Sequence, residues 1–234
     1  MGQSAKNVLI NSHLRVIIIV IFLSLYYNFT DRVPDSGLPA YFSMKKLLII
    51  ALLLIQSFAY GQPLSPQAKK VKHAYDELLK LPHAPVLQIK YIQVFPGNKV
   101  DFMDVFNAHT QDQLAGKSVD YVKKFRKLGY DYIDSVLPKS IQIGKEMPTW
   151  SEGAVDELQK TIYYLTNKNP MLFVNTVKEL TKEEQALLAS FLISGEGGVK
   201  NVNYDTLLDI LDKAGEKKLH KIFSEATLQQ EGQP

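Results

Sequence analysis

Asn169 to Ile193 reads NPMLFVNTVKELTKEEQALLASFLI, and this stretch decides the fold. Asparagine before proline is a helix start. The Asn169 side chain can take a free amide of the first turn, and Pro170 gives up a hydrogen that no carbonyl would have met. Leu172, Phe173, Val177 and Leu180 then recur at the spacing of one helical face. Thr181 to Glu184 spells T-x-x-E, a capping box in which each end satisfies the other's free amide. Leu187, Leu188, Phe191 and Leu192 follow, and Gly195 to Gly198 make a flexible turn. Two helices stand back to back, each with its own start signal.

The same grammar repeats towards the N-terminus. Ser65–Pro66 starts a helix with Val71, Tyr75, Leu78 and Leu79 as its stripe, closed by Pro82 and Pro85. Val86 to Phe95 fits two periods. Leu87, Ile89 and Tyr91 alternate as on a strand, while Val86, Ile89, Ile92 and Phe95 lie on one helical face. Its neighbours are helical, so we take it as a helix ended by Pro96–Gly97. Asn98 caps a short helix burying Val100, Met103 and Phe106. Ser118 caps the next, with Tyr121, Val122, Phe125 and Leu128 inward and Gly129 as its stop. Tyr130, Ile133, Val136 and Leu137 form a segment broken at Pro138, with Ile141 and Ile143 in a short piece beyond. Ser151 caps a helix carrying Val155, Leu158, Ile162 and Leu165, which makes Trp150 and Val155 a hydrophobic staple. Beyond the glycine turn, Leu207, Leu208 and Leu211, then Leu219, Ile222 and Phe223, mark the last helices. The stripes are too short for a coiled coil, and no repeat of fixed period occurs. The expectation is an all-α fold: a compact bundle of about eight or nine short helices over residues 62–234, after an N-terminal signal sequence.

The signal is read from Met44 onward, MKKLLIIALLLIQSFAYGQ. Lys45 and Lys46 are a positive start, and Leu47 to Ile55 an apolar run too short to cross a bilayer of roughly 30 Å. Ala59 and Gly61 supply the small residues a signal peptidase requires, so cleavage exposes Gln62. Residues 1–43 hold a second apolar run, Val16 to Leu25, and a loop from Asp31 to Pro39. We read them as upstream sequence preceding the true start. The alternative is a two-span membrane hairpin. The expected location is therefore periplasmic or extracellular, with no membrane attachment after cleavage.

Charge and composition exclude several classes. The formal +3 of the chain resides wholly in residues 1–61, where Lys6, Arg15, Arg32, Lys45 and Lys46 face only Asp31 and Asp35. Residues 62–234 are formally neutral and hold one arginine, Arg126, so no nucleic-acid partner is expected. The chain has no cysteine, which removes disulfides, thiolate metal sites and cysteine nucleophiles.

Sites of chemistry are sparse. His73, His83, His109 and His220 never pair at helical spacing, so no zinc pattern exists. His73 beside Asp76 and Glu77, and Glu216 beside His220, read as solvated faces. Asn201, Asn203 and Asp205 open like a calcium loop, but Thr206 stands where the turn needs glycine. We take them as a helix cap. The acid sets Asp101 with Asp104, Asp205 with Asp209 and Asp212, and Glu183 with Glu184 sit near helix starts, where the helix dipole favours them. Two basic clusters, Lys117, Lys123, Lys124, Arg126 and Lys127, and Lys213, Lys217, Lys218 and Lys221, read as solvated helix faces. No serine lies in a nucleophile elbow and no glycine loop has phosphate-cradling spacing, so neither cofactor nor metal is expected.

Residues 90–107, KYIQVFPGNKVDFMDVFN, and 149–159, TWSEGAVDELQ, resemble uncharacterised exported helical proteins of bacteria. That resemblance implies an envelope or extracellular location and carries no chemistry.

The function expected is binding of another protein or envelope component, with Trp150 as the candidate contact residue. The alternative is a small hydrolase whose carboxylate and histidine residues meet only in the fold. A deep pocket uniting two of His73, His109, Asp104 and Glu157 favours the enzyme. An exposed patch of Trp150 or several tyrosines favours the binder.

Overall fold

The structure, a computed structural model, describes residues 64–106, 114–147, 153–195 and 199–231. All of them lie in the unit Gly61–Pro234. The expectations for residues 1–43, for the signal at 44–61, for cleavage before Gln62, and for His109 and Trp150 lie outside the described residues.

Side-chain caps set four of the ten helix starts among the described residues. Ser65 accepts the Ala68 amide at 3.1 Å and opens α1 (Pro66–Lys80). Proline again stands first in α2 (Pro85–Val94). Asn98 Oδ1 accepts the Asp101 amide at 2.9 Å ahead of α3 (Lys99–Phe106). A 3-10 turn, Leu114–Lys117, leads into α4 (Ser118–Leu128), followed by α5 (Ile133–Gly144) and α6 (Ala154–Lys168). Asn169 Oδ1 takes the Leu172 amide at 3.1 Å and starts α7 (Pro170–Lys178). The capping box closes reciprocally at the head of α8 (Lys182–Ile193), at 3.2 and 2.8 Å. Then come α9 (Tyr204–Lys213) and α10 (Lys217–Glu231). Among the described residues there are ten α-helices and no strand, only an isolated antiparallel bridge between Ser194 and Lys200. The fold is all-α.

Five local expectations are corrected. Val100, expected on the buried face of α3, is 75 % exposed. Pro138 does not break its segment: α5 runs through it to Gly144. Proline removes one amide, the partner of the Asp134 carbonyl, and Asp134 is exposed, so water can replace that bond. Ser118 is the first residue of α4 rather than its cap. Lys117 takes the cap position without a side-chain bond, and Ser118 is buried. Gly153, not Ser151, precedes α6, at φ 77°, a left-handed conformation that glycine tolerates. Val155 therefore stands in the first turn, and Trp150, the other half of the expected staple, lies outside the described residues. Finally, α2 is helical as expected, but Val86 and Ile89 are exposed while Tyr91, Ile92 and Phe95 are buried. Its inner face is turned from the one the spacing suggested.

Helix α6 is the spine, packed against α4, α5 and α7. Val155, Leu158, Ile162 and Leu165 are all buried, as their spacing predicts. Two glycines let its neighbours approach closely. A Cβ at Gly129 would lie 2.7 Å from Leu165 Cδ1, and one at Gly144 3.0 Å from Ile162 Cδ1. A helix enclosed this far must also satisfy its polar side chains. Gln159 Nε2 donates to the carbonyls of Phe191 at 2.8 Å and Ser194 at 2.7 Å, and Tyr163 Oη donates to Leu192 O at 2.6 Å. These bonds serve carbonyls at the end of α8 that have no helical partner. On the far side of α4, Phe95 and Phe125 stack at 3.8 Å and anchor α2 to α4.

Candidate functional site

One edge of α6 is left over by the core. Glu157, Lys160, Tyr164 and Asn167 recur at three- and four-residue spacing and so lie along one line of the helix. Arg126, near the end of α4, meets this line from the side. Tyr130 joins from the turn between α4 and α5, and Asn203 from the head of α9. With Tyr163, all of these but Glu157 border a shallow, open depression of about 390 Å³.

Its electrostatics begin with Glu157, which is 5 % exposed. Its Oε2 lies 3.0 Å from Arg126 Nη1, yet accepts no aligned hydrogen bond. The pair is thus an ion pair in which the guanidinium N–H bonds point elsewhere. Lys160 Nζ bonds Asp156 at 2.6 Å and approaches Glu157 at 3.7 Å. The bond to Asp156 raises the Lys160 ammonium above its usual pKa. The rings of Tyr130 and Tyr164 lie 5.1 Å apart, and Lys168 Nζ sits 5.8 Å from each centroid. The neighbouring Tyr130 hydroxyl pushes the Tyr164 phenol up, with loss of water second. Burial drives the Tyr163 phenol higher still. At neutral pH every one of these shifted groups keeps its proton. The depression presents fixed donors and aromatic faces rather than a group poised to exchange protons.

The residues that favoured an enzyme are dispersed. His73 is exposed on α1, with Nε2 3.4 Å from Glu77. Asp104, exposed on α3, accepts from Ser65 Oγ at 2.5 Å. Glu157 lies on α6, behind Arg126 and Lys160. None of the three touches another, and His109 lies outside the described residues. Of the calcium-like oxygens, those of Asn201 and Asp205 are engaged within the protein. Asn201 Oδ1 accepts the Asn203 amide at 2.9 Å, Asn201 Nδ2 donates to Gln159 at 2.7 Å, and Asp205 holds Lys200 at 2.6 Å. Asn203 occupies the cap position of α9 without bonding into the helix, which corrects the cap role expected of these residues. His220 Nδ1 faces Ser224 Oγ at 3.4 Å, while Glu216 pairs with Lys178 at 2.6 Å. Among the described residues no three histidine or acidic side chains converge as metal ligands, and no helix is long and apolar enough to cross a membrane.

Two residues of the depression depart from their expected settings. Arg126 belongs to no solvated basic face: its side chain is 24 % exposed and sits against a buried carboxylate. Tyr130, read as part of a segment with Ile133, Val136 and Leu137, is 57 % exposed. The sequence signal that leads to the site is the polar line Glu157, Lys160, Tyr164 and Asn167 on an otherwise buried helix. No protein-family model matches the chain, and neither a curated protein nor a solved structure matches it.

Proposed function

We propose that residues 62–234 form an exported binding module that holds a partner polypeptide against the depression between α4, α6 and α9. The observation that carries this reading is the Tyr130–Tyr164 ring pair. It stands at the surface beside Arg126, Asn167 and Asn203, with Tyr130 more than half exposed. Tyrosine and arginine are the side chains that recognition surfaces concentrate, because each offers a large rigid contact together with a polar end. The dispersion of His73, Asp104 and Glu157 over three helices favours this reading over a hydrolase. Export is supported by the three-part leader at residues 44–61, and Trp150 stands as a second contact on its sequence setting.

The test is selection of short random displayed peptides on the full chain, repeated with a Tyr130→Ser/Tyr164→Ser variant of unchanged circular dichroism. The reading expects selected peptides to lose about tenfold or more in affinity on the variant, the loss expected of central aromatic contacts. Equal affinity for both proteins contradicts it.

A further inference from the structure

We infer that the partner polypeptide is anchored by a carboxylate side chain, aspartate or glutamate, seated on the Arg126 guanidinium, with Glu157 as the positioning residue that holds that guanidinium in place. The inference rests on the binding reading above and specifies its ligand chemistry. A guanidinium carries five N–H donors in a planar fork. Arg126 is three-quarters buried, and no donor of it meets an aligned acceptor among the described residues. Its nitrogens reach solvent at the edge of the depression and are left unmet by the described residues, so they are suited to an acceptor brought from outside.

The charges around the depression point to the sign of that acceptor. Lys160 is committed to Asp156, and Glu157 neutralises Arg126 from behind. Lys168 stands over the two tyrosine rings and has no carboxylate within ion-pair distance among the described residues. Among the described residues these three cations face two carboxylates, Asp156 and Glu157, which leaves room for one more anion. A carboxylate matches the planar fork of arginine in two parallel bonds, a geometry that lysine cannot supply. The carboxamides of Asn167 and Asn203, both exposed, offer the donor and acceptor that an extended peptide backbone requires. The open form of the depression suits a chain lying across it.

The test uses the full chain and two displayed libraries of short random peptides, identical except for a fixed central glutamate in one and glutamine in the other. The wild type is expected to retain the glutamate library about tenfold better. Arg126→Lys keeps the charge and loses the fork, and Glu157→Gln removes the positioning carboxylate. Each is expected to bring the ratio of the two libraries towards one. If Glu157→Gln lowers both libraries equally and leaves the ratio intact, Glu157 is merely structural and the positioning role is overturned. Equal retention of both libraries by the wild type, abolished by Tyr130→Ser/Tyr164→Ser, overturns the carboxylate anchor and leaves the binding reading standing. Retention of neither overturns both. Binding of polygalacturonate with no retention of the glutamate library overturns the polypeptide as ligand.

Discussion

Arg126 Nη1 lies 3.0 Å from Glu157 Oε2 across the packing face of α4 and α6, with no N–H aimed along that line. The two residues tie the depression to the core. Glu157 is buried beneath it, and Arg126 reaches its surface. A buried carboxylate without its cation is expensive, whereas replacing both members by apolar groups is far less so. Arg126→Met is therefore expected to destabilise the protein by about 3 kcal/mol, the low end for a broken buried pair because Lys160 still stands nearby. Arg126→Met/Glu157→Met is expected to recover much of that loss. Urea unfolding of the single and double variants measures both. Strictly additive losses would show that the two residues do not act as a pair.

Acid sensitivity is expected at Glu184. The Lys145 ammonium, 2.5 Å away, and then the Thr181 amide lower its carboxyl from the usual 4.5 to about 2. The folded-state value lies below the unfolded one. The carboxylate's contribution is therefore present above pH 4.5 and lost as pH falls through about 2. Melting temperatures of wild type and Glu184→Gln should differ at neutral pH and converge between these two values. A difference that persists below them would place the effect outside this carboxylate.

The leader makes a prediction about mass. If Ala59 and Gly61 direct cleavage, intact-mass measurement of protein recovered from the periplasm or medium should give a chain beginning at Gln62. A product retaining Met44, or one held in the membrane fraction, contradicts export by this signal.

Local chemistry explains which features the sequence disclosed. Ser65, Asn98, Asn169 and Thr181 cap helices as their spacing predicts, because a cap involves only the next few amides. Val155, Leu158, Ile162 and Leu165 are buried because their period alone defines a face. Pro138 misled because the cost of a missing amide depends on whether water reaches the orphan carbonyl, and no local pattern records that. Gly129 reads as a stop, but its tightest constraint is the Leu165 side chain from another helix. Arg126 was hidden among lysines of α4, since Glu157 is distant in sequence and meets it only through packing. Tyr130 was hidden in an apolar string for the same reason. The site is an assembly of α4, the α4–α5 turn, α6 and α9, which no local spacing brings together.

Photo-crosslinking at the depression tests the central claim most directly. A benzophenone amino acid replaces Asn167, at the rim, and in a separate protein Val86, which is 76 % exposed on α2. Both are expressed as full chains in cells that produce the protein natively. The account predicts one discrete crosslinked polypeptide from position 167, absent from position 86 and lost when Tyr130→Ser/Tyr164→Ser is added. A crosslink from position 86 alone, or none from position 167, would contradict it.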